Sequence, residues 1–457
     1  MAPSPHAAAT QERLSGWGRF PRKQCILVEP RTDQDWIDLV TGGDEPVIAR
    51  GAGRAYGDSA LGTGLTLSTR YLDRILDFDP ATGLLAVEAG AMLGNIVDGF
   101  LPEGWLPPVL PGTRHVTVGG MVAADVHGKN HHGQGSFGRH VAWLDLLEAD
   151  GTITRCSPTD HGALFHATVG GMGLTGIVLR VAFRMIPVRT AWMQEERVLA
   201  ADLDATMASF EASDNWAYSV AWIDCVSSGR HLGRSVLYRA NHAQPDALTG
   251  APAIDPLALP GRRSLRVPMD GPSWMLQGLT MRAFNAAYYR MAARSPRERL
   301  VDCARFFHPL DGVIGWNRLY GPRGFVQFQC VLPTGTATSG LRRILETTAR
   351  AGQGSFLAVL KRFGAFASAG TGLSFTAPGY TLCLDFPATP ERLSLLEGLD
   401  RIVLDHGGRF YLAKDARMDR GTFHAAERDR LPAFQRFRRE TGASERFQSH
   451  QSARLGL

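Results

Sequence analysis

Between Pro107 and Gly138 the chain reads PPVLPGTRHVTVGGMVAADVHGKNHHGQGSFG, a run without helical periodicity that concentrates glycines, histidines and hydroxyls. Gly112, Gly119, Gly120, Gly128, Gly133, Gly135 and Gly138 let backbone approach a ligand closely. Thr113, Thr117, His127, Asn130, His131, His132 and Ser136 offer it donors and acceptors. A large flat cofactor suits such a surface. A second glycine-rich turn, GAGRAYGDSA from Gly51 to Ala60, follows an apolar segment and is placed to aim backbone amides at a phosphate, the competing reading being an ordinary tight turn. His127 and His131 have the i, i+4 spacing of metal-binding imidazoles on a helix. Gly128 interrupts such a helix and no cysteine or carboxylate beyond Asp125 completes a ligand set, so no metal is expected. Lys414 in YLAKDAR is read either as a solvated strand end paired with Asp415 or as a cation turned into a site. Gln327 and Gln329, two apart on one strand, share a face. Cys383, in apolar YTLCLDFP, reads as a buried inert thiol, and Trp222 equally as core or pocket wall.

The elements that carry these residues follow from local pattern. Thr32 and Asp35 form a capping-box start for a helix through Trp36 and Val40, ended by Gly42 and Gly43, before an apolar strand Pro46 to Ala49 that runs into the glycine turn in the manner of a βα unit. Alternation in Leu84 to Gly90 and Ile177 to Met185 predicts half-buried strands, and Asp150-Gly151 a hairpin turn. Residues 1–189 thus read as one α+β unit. From about Thr190 to Arg409 aromatic strands (Tyr218 to Ile223, Phe325 to Leu332, Tyr380 to Phe386) alternate with two helix-then-strand units. These are Ser339 to Ala351 with Phe356 to Phe363, and a helix opened by Pro390, ended near Gly407 and followed by Arg409 to Ala413. An antiparallel sheet with helices on one side is expected. Ala251 to Leu300, rich in Pro, Arg and Met, reads as a mobile excursion.

Bulk properties narrow the function classes. At 457 residues two domains are the default, and 49 Lys and Arg against 44 Asp and Glu give a formal charge of +5. That excess favours anionic partners such as phosphates or lipid headgroups. It is too small and dispersed for nucleic acid. Six cysteines without CxxC spacing suggest a reducing compartment. The amino-terminal segment has neither a basic region nor an apolar core, and no apolar run approaches the ~20 residues of a membrane span. A cytoplasmic chain, at most peripheral to the inner membrane, is expected.

Taken together, GAGRAYGDSA, the PGT, VTVGG, HGKNHH and GSFG block, and ATVGGMGLTGIV resemble the FAD-binding domain of the vanillyl-alcohol-oxidase superfamily. GWGR at Gly16, HGKNHH at His127, VAWIDC at Trp222, FFHPLD at Phe306, WNRLYGP at Trp316, FVQFQ at Phe325, YTLCLDFP at Tyr380 and YLAKDAR at Tyr411 further resemble the decaprenylphosphoryl-β-D-ribose 2′-oxidase family from about residue 16 to residue 450. The resemblance implies an FAD domain (1–189) rejoined by a C-terminal segment (410–457), with a substrate domain (190–409) between. It implies oxidation of the 2′-hydroxyl of a polyprenyl-phosphoryl ribose to a ketone, which a separate NAD(P)H-dependent short-chain reductase returns as the arabinose epimer.

By that resemblance the FAD contacts are Gly51, Ala52, Gly53, Arg54, Ala55, Tyr56, Gly57, Asp58, Ser59, Gly112, Thr117, Val118, Gly119, Gly120, Ala124, Asp125, Val126, His127, Ile177 and Tyr411. Where many superfamily members carry a histidine bonded to flavin this chain has Arg54, Ala55 and Tyr56, so FAD is expected to be non-covalent. Lys129, Trp222, Gln327, Gln329, Lys361 and Cys383 are implied to face the substrate. Lys414 is implied to face both flavin and substrate. Tyr56, His132 and Lys414 remain unranked as proton acceptors. An aldonolactone or alditol oxidase acting on a small soluble sugar or a ribose phosphate is the rival enzyme, and a non-catalytic basic binding protein the rival of another class. The excursion's Arg262, Arg263, Trp274, Met275, Leu276 and Met281 are expected at a membrane surface.

Overall fold

A computed structural model of the chain describes residues 9–457, apart from 262, 263, 273–275, 277, 353, 356 and 367–371. The four strands Ala9–Ser15, Arg22–Val28, Leu65–Ser68 and Val47–Arg50 form the first sheet in that order. The first pair is antiparallel and the rest parallel. The capping box closes as expected: Thr32 Oγ1 accepts from the Asp35 amide at 3.1 Å while the Asp35 carboxylate accepts from the Thr32 amide at 3.0 Å. Helix Asp33–Thr41 then buries Trp36 and Val40. No helix follows Val47–Arg50. The glycine turn instead loops back to Leu65–Ser68, so the expected βα unit is a strand–loop–strand.

A five-stranded antiparallel sheet comes next, in the order Ile75–Asp79, Leu84–Glu88, Ile177–Arg184, Val141–Leu147, Ile153–Cys156. Gly151, at φ +90°, makes the hairpin turn joining Val141–Leu147 to Ile153–Cys156. Leu84–Glu88 and Ile177–Arg184 are buried on both faces rather than half-buried. Leu85, Val87, Val181 and Phe183 pack on Ile96, Val118 and Val122, while Ile177 and Leu179 pack on Val28, Trp36 and Phe447. Phe447 belongs to the C-terminal segment, which also bridges to the first sheet through Val47–Phe447 and Gly62–Ser449.

Residues 192–410 form an eight-stranded sheet, all antiparallel, in the order Glu298–Asp302, Trp192–Ala200, Ser235–His242, Tyr218–Ile223, Ala358–Phe363, Gly379–Pro387, Phe325–Pro333, Arg409–Phe410. Helices Leu203–Glu211, Thr334–Arg350 and Pro390–Asp405 cover one face through a core that includes Leu341, Ile344, Leu382, Leu384, Leu399 and Val403. The opposite face is left for the site.

Two further expectations need correction. The segment 251–300 is in large part regular: helix Gly278–Arg294 leads into Glu298–Asp302, the sheet's edge strand. Its apolar periodicity is weak because only Met281 and Asn285 of the helix are buried while Leu279 and Met291 are 82% and 63% exposed. Leu276 and Met281 do not face outward. They pack with Tyr56, Trp316, Tyr320 and Phe325, whereas Arg262, Arg263, Trp274 and Met275 lie outside the described residues. Second, the strand from Arg409 stops at Phe410, and Tyr411 to Asp415 turn back on themselves. The amides of Lys414 and Asp415 donate to the Tyr411 carbonyl at 2.9 and 3.1 Å.

Candidate active site

A cavity of about 710 Å³ lies between the glycine turn and the uncovered face of the eight-stranded sheet. Backbone dominates its first wall, from Gly51 to Tyr56, Gly112, Thr117, Gly119 and Gly120. Gly53 sits at φ +64°, a conformation few other residues tolerate, and at Gly112, which lines the cavity, an added Cβ would meet nothing within 4 Å. The turn is clamped from both sides. Trp17 donates its amide to the Ala55 carbonyl at 2.8 Å, and the Tyr56 amide donates to the Ala413 carbonyl at 2.8 Å.

Side chains make the second wall, and strand register explains which. Trp222 pairs with Val359, Val359 with Cys383, and Cys383 with Gln329, so one row crosses four strands on one face. Lys361 opposite Thr381 and Gln327 opposite Asp385 flank that row. Period-two geometry sends Leu360, Leu382, Leu384 and Phe328 to the helix-covered core. Helix Gly278–Arg294 closes the far end, where Tyr288 hydrogen-bonds Tyr238 at 2.7 Å and its ring lies 4.6 Å from that of Trp222.

The 411–415 turn aims Lys414 into the joint between the walls, its Nζ 3.7 Å from the centroid of the Tyr56 ring. Burial draws the Lys414 ammonium below its ordinary range, partly offset by Cys383 and Asp385. Burial also pushes the Tyr56 phenol well up, reinforced by Asp385 and Cys383. Asp385 is 1% exposed and accepts hydrogen bonds from Gln327 Nε2 and, at 3.0 Å, from the Tyr320 hydroxyl. Desolvation lifts its carboxyl to about 7 against the pull of Gln327, Lys414 and Tyr320. His127 shares a hydrogen bond with Gln329 at 3.0 Å and is held neutral by burial and by Lys361. The Cys383 thiol is raised by burial and stays protonated, and the Tyr411 hydroxyl donates to the Ala124 carbonyl at 2.9 Å.

Most of the expected site residues meet here. Gly51, Ala52, Gly53, Arg54, Ala55, Tyr56, Ser59, Gly112, Thr117, Gly119, Gly120, Ala124, Val126, His127 and Tyr411 line the cavity, as do Lys129, Trp222, Gln327, Gln329, Lys361, Cys383 and Lys414. Six do not. His132 turns away, its Nε2 2.7 Å from the Trp216 carbonyl oxygen. Asp58 is committed to Arg454 at 2.7 Å, and Asp125 to Ser136, Ser374 and the Gly138 amide. At Gly57 an added Cβ would stand 2.0 Å from the Asp415 carbonyl oxygen, so this glycine serves packing against the lysine turn. Val118 and Ile177 are buried in the cores. His127 and His131 have separate partners, His131 Nδ1 accepting from the Gly364 amide at 3.3 Å.

Residue patterns had passed over Asp385, Tyr320, Tyr238, Tyr288, Glu195 and Arg299. Asp385 was readable as an acid two positions beyond Cys383 on an apolar strand. Composition held another signal: of 49 Lys and Arg only four are lysine, Lys23, Lys129, Lys361 and Lys414, and the last three line the cavity. Surface duty in this chain falls to arginine.

Comparison with known proteins follows the same lines. Residues 26–157, spanning the glycine turn and the histidine-bearing loop, match the family model of an FAD binding domain. Decaprenylphosphoryl-β-D-ribose oxidase of Mycolicibacterium smegmatis is 39% identical over 456 residues, covering 98% of each chain. An uncharacterized protein in the mprA 5′ region of Streptomyces coelicolor is 36% identical over 80% of this chain and 100% of its own. A putative D-arabinono-1,4-lactone oxidase of Neurospora crassa is 26% identical over 54% of this chain and 44% of its own.

Proposed function

Since the chain belongs to the decaprenylphosphoryl-β-D-ribose oxidase family, we propose that it is an FAD-dependent oxidase converting the 2′-hydroxyl of a polyprenyl-phosphoryl β-D-ribose to a ketone. The observation that carries this reading is a cavity walled by a backbone cradle on one side and a polar, cationic sheet face on the other, with Lys414 at their joint. The lining fits FAD. The open space in front of Gly112 and the turn at Gly53 leave room for a pyrophosphate along backbone, and Gly51 to Ser59 contains neither histidine nor cysteine to bond the flavin. When bound, FAD supplies the acceptor for the two electrons leaving the sugar carbon.

The protein's part is to hold the sugar and take the hydroxyl proton. Among the three candidate acceptors the surroundings favour one. His132 is outside the cavity, and the Tyr56 phenol is raised too far to serve as a base near neutrality. Lys414 reaches the joint itself, its Nζ over the Tyr56 ring, and burial moves its ammonium in the direction a base requires. We assign Lys414 as the proton acceptor, with Tyr56 beneath it as a positioning face. Gln327 and Gln329 orient sugar hydroxyls, their own orientation fixed by Asp385, Thr381 and His127. Cys383 remains a thiol wall.

The ketone is then material for a separate NAD(P)H-dependent short-chain reductase, which completes the ribose-to-arabinose epimerisation. Among the described residues no helix is long and apolar enough to cross a membrane. Exposed Ile254, Leu265, Met269, Leu279 and Met291, interspersed with Arg266, Arg282, Arg290 and Arg294, instead suit peripheral contact with an anionic lipid surface, which would bring a lipid-borne sugar to the cavity.

The test is direct. Purified protein should be yellow, release its flavin into the supernatant on acid precipitation, and oxidise a short-chain prenylphosphoryl ribose but neither ribitol nor gulonolactone. Efficient turnover of the soluble sugars alone would replace this substrate with that of the lactone and alditol oxidases.

A further inference from the structure

Three lysines succeed one another along the cavity, and the chemistry at the reacting carbon calls for only one. Lys414 rests on Tyr56. Lys361 comes next, its Nζ 3.5 Å from His127 Nδ1, and it feels the charge of Lys414. Lys129 follows, within the field of Lys361, its Nζ donating to the Phe306 carbonyl and standing 4.2 Å from the centroid of the Phe306 ring. The described residues place no carboxylate in an ion pair with any of the three. Glu195, the acid whose charge acts on Lys129, is bound by Arg299 at 2.6 Å and lies 3.5 Å from Arg197. Two ammonium groups that line one desolvated cavity, without a counterion, are costly until an anion enters beside them.

We propose that Lys129 and Lys361 form the subsite for a phosphate ester carried on the sugar's anomeric carbon. The inference rests on the oxidase reading and deepens it. In such a substrate the phosphate hangs on the carbon next to the one that is oxidised, so its subsite has to adjoin Lys414, as Lys361 does. Lysine suits the task as a compact point charge that meets a phosphate oxygen from any direction. Beyond Lys129 the aromatic wall of Trp222, Tyr238, Tyr288 and Phe284 leads toward solvent, Phe284 being 47% exposed, which gives an ester's apolar substituent a way out.

A pH signature follows. Facing Lys129 are Glu195, His308 and Lys361; facing Lys361 are His127, His131, Cys383 and Lys414. Burial, with the charge of Lys361 nearby, draws Lys129 to about 7, and burial, with the charge of Lys414 nearby, draws Lys361 to about 8. Anion binding therefore weakens as pH rises through that range, and KM for a phosphorylated sugar should climb there while KM for an uncharged riboside does not.

The test uses the FAD-loaded enzyme with three sugars, farnesylphosphoryl β-D-ribofuranose, ribose 1-phosphate and octyl β-D-ribofuranoside, and the variants Lys129→Met and Lys361→Met at matched flavin content. The ratio of kcat/KM for a phosphate ester to that for the neutral riboside should fall about 10- to 100-fold in each variant, through KM, as expected for one charged hydrogen bond lost. Whichever ester wild type prefers names the source, a lipid-linked sugar or a soluble sugar phosphate. An unchanged ratio, or an alkaline rise in KM shared by the neutral riboside, overturns the subsite and leaves the oxidase reading standing. Wild-type protein that oxidises none of the three overturns the oxidase reading. Binding is read separately, by thermal stabilisation with farnesyl phosphate. Stabilisation of wild type that is lost in both variants supports the subsite, and its absence in wild type contradicts it.

Discussion

Asp385 carries a consequence that its burial makes measurable. Its carboxyl is raised to about 7 in the fold, so the folded protein keeps a proton that the unfolded chain releases near pH 4. Stability is therefore lost as pH rises between those values, by at most about 4 kcal/mol at 1.36 kcal/mol per pH unit. Asp385→Asn should flatten that slope, seen as urea midpoints at saturating FAD that change less between pH 5 and pH 7 than those of wild type. Parallel slopes would mean that Asp385 titrates normally. Single side chains were unevenly legible in the sequence. Gln327 and Gln329 could be placed because a strand has a period of two, and Lys414 because its motif was recognisable. His132 could not, since a ring on an irregular loop takes its direction from a distant acceptor, here the Trp216 carbonyl.

Turns and strand registers decide what these side chains can reach. The 411–415 turn is held by the Tyr411 carbonyl, by Gln451 donating to the Leu412 carbonyl at 2.8 Å, and by contact with Gly57. A methyl group at Gly57 would force the turn away from the cavity. Gly57→Ala should cost about 1–3 kcal/mol, as overpacking does, and should weaken FAD retention on gel filtration. An unaltered midpoint and full flavin content would show that the turn yields freely. The capping box at Thr32, the Asp150-Gly151 hairpin and the helix begun by Pro390 were readable because each is set by a few adjacent residues. Helix Gly278–Arg294 was not, because an element with much apolar surface left exposed carries little amphipathic signal. The shortness of Arg409–Phe410 was hidden too, because a turn tied to Gly57 leaves no mark on residues 411–413 themselves.

The chain as a whole closes on itself through Arg454, which binds Asp58 in the glycine turn at 2.7 Å and Asp415 beside Lys414 at 2.9 Å. One C-terminal cation thus joins both sides of the cavity's joint. Arg454→Met leaves two buried carboxylates without their partner and should cost about 3 kcal/mol, with flavin lost before global unfolding in a thermal ramp; simultaneous loss would assign it to general stability alone. The surface around Leu279 and Met291 predicts vesicle binding. Leu279→Asp with Met291→Asp should lower partitioning onto anionic vesicles at least about ten-fold, given the transfer energy of two large apolar side chains, while turnover of a soluble short-chain substrate persists. Equal partitioning of variant and wild type would remove the lipid contact from this face. The return of the tail was implied by motifs scattered along the chain and the antiparallel sheet after residue 190 by its aromatic strands, whereas the division of the first 189 residues into two sheets was not. The meeting of these parts in one cavity rests on long-range pairing, such as Val47 with Phe447, that no local pattern encodes.

Anaerobic single-turnover reduction of bound FAD by a short-chain prenylphosphoryl ribose, followed by bleaching of the flavin's visible absorbance, bears most directly on the role given to Lys414. Lys414→Ala should hold its full complement of FAD and be reduced about 10²- to 10⁴-fold more slowly than wild type, the contribution of a positioned base. Bleaching of that variant at the wild-type rate would contradict the assignment.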